Sequence, residues 1–82
     1  MEKEEIIVAV NKFLLQEFEV DEKEIRPDAH LKDDLGLESL DFVDIAVMAR
    51  KRFGISVKGK DMLSLKTLGD VYDYIHRMVQ MK

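Results

Sequence analysis

Ser39 is the residue of this 82-residue chain whose surroundings point most directly to chemistry. It lies in residues 34–41 (DLGLESLD), and an amphipathic helix is predicted to begin just after it. A hydroxyl there lies at the positive end of a helix dipole, where backbone N–H groups without partners favour a bound phosphate. Carboxylates surround it, and the sequence offers no credible set of partners for a nucleophile. The pattern indicates a serine that is modified, not one that attacks a substrate.

Other functions for these residues are disfavoured by their spacing. A serine hydrolase would need a Gly-x-Ser-x-Gly turn and triad partners, which the sequence lacks. The carboxylates of residues 28–38 lack the spacing and glycine of an EF-hand, so we expect a solvated acidic loop and no metal site. We interpret His30 and His76 as surface side chains. One alternative stays open, that Ser39 is a plain helix N-cap, a position that serine suits well.

The composition is typical of one small globular domain. With 46% hydrophobic and 37% charged residues, the chain is predicted to fold around one modest core, as a single domain over residues 1–82. It contains no cysteine, which excludes a disulfide framework, a thiolate metal site and a thiol nucleophile from the protein itself. No apolar run approaches membrane-spanning length and the start is acidic, so we expect a cytoplasmic protein without membrane insertion.

The charge is distributed unevenly around its net value of −4. Residues 17–44 contain eleven acidic and three basic side chains, whereas residues 50–60 contain five basic and no acidic ones. The acidic half would repel a polyanion and attract a basic protein. We therefore expect a protein partner and no nucleic acid.

Hydrophobic periodicity predicts an all-α fold, a small antiparallel helical bundle of three main helices plus a short fourth. The first helix ends near Glu17, Gly54 stops the second, and Thr67 begins the last with a capping-box-like pattern. Residues 61–64 supply the short helix, and residues 55–57 alternate like a strand that has nothing to pair with. The stripes are Ile6, Val10, Phe13 and Leu14; Leu40, Val43, Ile45, Ala46, Ala49 and Phe53; and Leu68, Val71, Tyr72, Ile75 and Val79.

The connection formed by residues 19–38 is unusually long for so small a domain, which is typical of a functional or disordered loop. Pro27 restrains its backbone. We expect an ordered loop that delivers Ser39 to the surface and is pinned to the core by Ile25, Leu31, Leu35 and Leu37.

The pattern Asp-Leu-Gly-x-x-Ser-Leu-Asp, on a long loop leading into a second helix, resembles the acyl carrier proteins. These are small helical bundles whose serine carries 4′-phosphopantetheine, and the resemblance covers nearly the whole chain, including the exit at residues 53–57. It implies that the protein is not an enzyme and that Ser39 is the attachment site. It also implies that a phosphopantetheinyl transferase moves the arm onto Ser39 from coenzyme A. Acyl groups then travel as thioesters on the terminal thiol of the arm.

By resemblance, the second helix is where synthases, ligases and acyltransferases dock on a monomeric carrier. The predicted docking residues are Glu38, Leu40, Asp41, Asp44, Val47, Arg50 and Lys51. Two features depart from the family pattern: Glu38 replaces the usual Asp before the serine, and the helix turns basic at residues 50–52. These departures predict a specialised carrier with a dedicated partner. Alternatively, the basic residues only complement the helix dipole.

The inward face of the same helix predicts a pocket for the acyl chain, since bundle helices commonly enclose ligands. The predicted lining is Phe42, Ile45, Ala46, Ala49 and Phe53. Its two alanines leave room beside the helix, unless another helix packs closer over them. The cargo stays open between a fatty-acid, related lipid or polyketide acyl chain and an aminoacyl or peptidyl group. An unmodified helical interaction module is a further alternative.

Overall fold

Four α-helices make up most of the computed structural model, which describes residues 2–81. They are α1 (Lys3–Glu17), α2 (Ser39–Phe53), α3 (Gly59–Ser64) and α4 (Leu68–Gln80), and a 3-10 turn (Glu22–Glu24) lies in the long first connection. Within residues 2–81 there is no strand, only an isolated antiparallel bridge between His30 and Thr67. The predicted all-α fold is confirmed. The first and last residues of the predicted domain, 1 and 82, lie outside the described part.

The end of α2 and the start of α4 are determined by local residues, as the sequence predicted. α2 ends at Gly54, which adopts a left-handed conformation (φ 70°) and donates its N–H to the Arg50 carbonyl at 2.9 Å. α4 begins after Thr67, whose hydroxyl accepts the Asp70 N–H at 3.2 Å, while the Asp70 carboxylate accepts the Thr67 N–H at 3.1 Å. Hydrogen bonds from the backbone of Lys66 and Thr67 lower the pKa of Asp70.

The short helix α3 begins two residues earlier than predicted, at Gly59 instead of Asp61. The N–H groups of Asp61 and Met62 both donate to the Lys58 carbonyl, at 3.0 and 3.1 Å, so the first turn forms across residues 59 and 60. Residues 55–57 run extended and alternate as expected, with Ile55 buried and Ser56 exposed.

Within the described residues, the core consists of hydrophobic side chains, two of which, Tyr72 and Tyr74, also carry a hydroxyl group, and no charged side chain is buried. α1 contributes Ile6, Val10 and Leu14 and packs against α4. The Tyr72 hydroxyl of α4 donates to the Asn11 side chain of α1. Burial raises the pKa of Tyr72 to about 12, and the hydrogen bond to Asn11 acts in the opposite direction.

The long loop is ordered, and backbone hydrogen bonds join it to the start of α4. The Leu68 N–H donates to the Ala29 carbonyl at 2.9 Å and the Gly69 N–H to the Pro27 carbonyl at 2.8 Å. A Cβ at Gly69 would lie 3.0 Å from that Pro27 oxygen, so this close contact favours glycine. Three of the four predicted anchors, Leu31, Leu35 and Leu37, are buried, and Ile25 is half-buried. Ala29, which is fully buried, was not predicted as an anchor.

Candidate functional site at the start of α2

Ser39 is the first residue of α2, and its side chain is exposed. The residue that caps the helix is Glu38, whose extended backbone (φ −111°, ψ 175°) precedes the first turn. The Asp41 carboxylate turns back and accepts the Glu38 N–H at 2.8 Å. The alternative that Ser39 is the N-cap is therefore wrong, because Glu38 holds that position. Within residues 2–81 no hydrogen bond uses the Ser39 hydroxyl.

The turn before α2 holds Ser39 in a fixed place. Leu35 and Leu37 are buried on either side of Gly36, whose left-handed backbone (φ 69°) favours glycine. The Leu37 N–H donates to the Leu31 carbonyl at 2.9 Å, which closes the loop on itself. Because the buried leucines anchor both sides of the turn, the serine at its end is presented on a rigid support.

The exposed side of α2 carries apolar side chains next to charged ones. Leu40 is 78% exposed and Val47 46% exposed, as their predicted role in docking requires, and Leu40 therefore does not belong to the packed stripe of this helix. Val43, predicted to belong to the packed stripe of this helix, is 57% exposed, which corrects that assignment. Position 43 lies one turn from both Ser39 and Leu40, on the solvent face.

The predicted docking residues differ in how free their side chains are. Glu38 and Asp44 are exposed, whereas Asp41 is half-buried because its carboxylate bonds the Glu38 backbone. Arg50 and Lys51 are exposed in the last turn, and the ion pairs found among residues 2–81 use neither.

A cavity of about 280 Å³ opens beside Ser39, between α2 and α3. Of the predicted pocket residues, Phe42 and Ala46 line it; Ile45, Ala49 and Phe53 do not and are buried in the core. The remaining lining residues, missed from the sequence, are Val43, Val57, Gly59, Met62 and Leu63.

Axial position explains why Ala49 and Phe53 do not line the cavity, whereas Ile45 lies at a different angle around α2. Ala49 lies at nearly the same angle around α2 as Phe42 but roughly 10 Å farther along it, whereas the six residues of α3 cover only roughly 9 Å. The cavity is thus limited to the first half of α2.

Alternative ligands find little support at this end of the molecule. Among residues 2–81 there is no group of three or more histidine, cysteine or acidic side chains able to hold a metal ion. One carboxylate of the acidic loop already has a hydrogen-bond partner within the loop, since Asp34 accepts the His30 backbone N–H at 2.8 Å. No helix in the described part is long and apolar enough to cross a membrane.

The fold and the site together define a class of protein: a small helical scaffold with an exposed serine hydroxyl at a helix N-terminus. The family model described as "Phosphopantetheine attachment site" matches residues 9–75. The chain is 36% identical over 75 residues to the acyl carrier protein of Thermotoga maritima, covering 92% of this chain and 93% of that protein. It is 33% identical over 76 residues to the meromycolate extension acyl carrier protein of Mycobacterium leprae, covering 93% of this chain and 66% of that protein.

The chain belongs to the acyl carrier protein family. It is a phosphopantetheine-bearing carrier in lipid biosynthesis and not an enzyme, and it works with a phosphopantetheinyl transferase and acyl-processing enzymes. The bound 4′-phosphopantetheine supplies the thiol that this cysteine-free chain lacks. The residues fit such a group, because an exposed hydroxyl, a helix N-terminus and an apolar cavity adjoin one another.

Proposed function

We propose that Ser39 is the residue that carries the 4′-phosphopantetheine. The single observation that carries this assignment is its exposed hydroxyl at the first position of α2, which no hydrogen bond among residues 2–81 engages. In the attachment, the Ser39 oxygen loses its proton and bonds to the phosphorus that adjoins pantetheine, the pyrophosphate P–O bond of coenzyme A breaks, and adenosine 3′,5′-bisphosphate leaves. The negative phosphodiester then lies at a helix N-terminus, where the dipole and free N–H groups favour it.

Intact mass tests this assignment. Co-expression with a broad-specificity transferase should add one phosphopantetheinyl group, and Ser39→Ala should abolish the addition. Ser56→Ala is the matched control, since Ser56 is another exposed serine and should leave the addition intact. Because Glu38 is the cap, Ser39→Ala should change the free energy of unfolding by less than about 0.5 kcal/mol. A mass shift that survives in Ser39→Ala would reject the site.

The cavity beside Ser39 supports a second part of the proposal, that it shelters the start of the acyl chain. Its wall is mostly apolar and includes Phe42, Ala46 and Met62. The opening lies next to the serine, so a chain that folds back along α2 can leave water without crossing the core.

The exposed apolar side chains of α2 support a third part, a docking surface for carrier-dependent enzymes. Leu40, Val43 and Val47 offer apolar contact, and Asp44 steers a basic partner toward it. We propose that the carrier acts as a monomer and that its cargo is a lipid acyl chain. The meromycolate extension carriers among its relatives are consistent with a specialised role.

A further inference from the structure

A second surface runs along the side of α2 that faces α1. Its widest part is an open groove of about 540 Å³ whose floor is formed by Phe13, Val47 and Met48. The Phe13 ring contacts Phe18 edge-on, with centroids 5.7 Å apart and planes at 82°, which holds the ring as a fixed wall. The groove is separate from the cavity beside Ser39, which opens toward α3.

The groove continues toward the start of α1. A narrower part shares Phe13, Met48 and Arg52 with the wide part. The last part, toward the start of α1, shares Ala9, Lys12 and Arg52 with that narrower part. At the far end lie Glu4 and the 65% exposed Val8. Thirteen residues of α1 separate the two ends, which corresponds to roughly 20 Å.

The charges along the groove form a pattern of negative, positive and negative. Lys12, Lys51 and Arg52 line its middle, and the ion pairs found among residues 2–81 use none of the three. Carboxylates stand at both ends: Glu17 and Asp44 at one, Glu4 and Glu5 at the other. Three cations thus surround an apolar floor between two acidic ends.

We propose that this groove binds an amphipathic helical segment of a partner protein, with acidic side chains at its centre and basic ones at its ends. An apolar residue of that segment covers Phe13 and Met48, and its carboxylates meet the central cations. A helix of about twelve residues, roughly 18 Å long, matches the groove. The proposal extends the proposed docking function of α2 to its α1 side and does not depend on modification of Ser39.

The end carboxylates favour this occupant over other anions. A nucleic acid or an anionic membrane presents negative charge over the whole length of the groove. Either one would bring that charge against the acidic pairs at both ends. A short helix can alternate its charges at the required spacing.

The proposal is tested with two synthetic twelve-residue helical peptides and the uniformly ¹⁵N-labelled carrier. One peptide has leucines on one face, two central glutamates and a lysine at each end; the second has the same leucines with the charges exchanged. In NMR titrations, we expect saturable changes in the amide chemical shifts of residues around Phe13 and Met48 when the first peptide is added. The second peptide should bind at least fivefold more weakly.

The variants separate the groove from general charge effects. Lys51→Glu with Arg52→Glu should weaken the first peptide at least fivefold, whereas Lys58→Glu with Lys60→Glu, outside the groove, should change it less than twofold. Equal binding of both peptides, or shifts confined to the Ser39 cavity, would overturn the proposal. So would concentration-dependent dimerisation of the carrier through the groove in sedimentation runs. Intact mass after transferase treatment of the same variants reports separately on Ser39.

Discussion

Filling the cavity beside Ser39 should remove the stability that a bound acyl chain adds. Ala46 is half-buried and lines the cavity, so Ala46→Leu places three more carbons inside it. In the wild type, the cavity that buries the acyl chain exists only in the folded state. Burial of the chain therefore stabilises the fold. The variant should lose that gain while keeping its fold.

The volume sets the size of the effect. An apolar cavity of roughly 150 Å³ holds benzene, with six carbons, so 280 Å³ corresponds to about eleven carbons before the opening to solvent is discounted. An eight-carbon chain, half desolvated at ~0.4 kcal/mol per carbon, contributes about 3 kcal/mol. Ordering the chain reduces this to about 2 kcal/mol. For a domain of this size that is about 8–16 °C in Tm.

The assay compares thermal unfolding of the holo and octanoyl forms by far-UV circular dichroism. The wild-type octanoyl form should melt about 10 °C above the holo form, and Ala46→Leu should remove more than half of that difference. Ala9→Leu, the same change at a half-buried site of α1 outside the cavity, should leave it intact.

A third variant tests the location of the pocket. Ala49 is fully buried and lies outside the cavity, so Ala49→Leu should overpack the core and destabilise both forms by about 1–3 kcal/mol without changing their difference. Equal midpoints for the two wild-type forms would mean that the chain stays in solvent. An unchanged difference in Ala46→Leu would place the chain elsewhere.

Three further outcomes follow from the contacts described above. Hydrogen bonds from the backbone lower the pKa of Asp70, so its stabilising effect is full above the ordinary carboxyl pKa and disappears as pH falls through the folded value. In urea titrations Asp70→Asn should therefore cost about 1 kcal/mol at neutral pH and progressively less in acid. Gly69→Ala should lower the free energy of unfolding in urea by about 1–3 kcal/mol because its Cβ meets the Pro27 carbonyl, whereas Gly59→Ala, with nothing within 4 Å, should cost far less. Asp44→Lys should slow association with the transferase in stopped-flow at low salt, and a loss of the same size in high salt would contradict electrostatic steering.

The sequence was most informative where structure depends on neighbouring residues. The left-handed Gly54 and the box around Thr67 are local devices, and both helix ends lie where their chemistry predicts. The cap of α2 shows the limit of that reasoning. Serine is the better N-cap by preference, yet the Asp41 carboxylate bonds the Glu38 N–H and moves the boundary by one residue.

The cavity could not be predicted in the same way because α3 forms one of its walls. A helical wheel of α2 gives angles but not where along the axis a short neighbouring helix will pack, so Ala46 and the buried Ala49 look equivalent. No hydrophobic periodicity in the sequence indicates that α3 begins at Gly59. Val43 was within reach of the sequence, since it lies one turn from Leu40 on the same exposed face.

The two elements on either side of Ser39, the turn before α2 and the helix α3, differ in how firmly they are attached to the rest of the fold. This difference determines which of them can move. On one side, the Leu31 carbonyl accepts the Leu37 N–H while the Leu31 N–H donates to Lys66, at 2.9 Å each, which ties the serine-bearing turn to the start of α4. On the other side, α3 buries only Met62, and the Tyr74 hydroxyl bonds its Asp61 carboxylate at 2.8 Å. We therefore expect a chain too long for the cavity to displace α3, whereas Ser39 should keep its place beside the hydrogen-bonded turn.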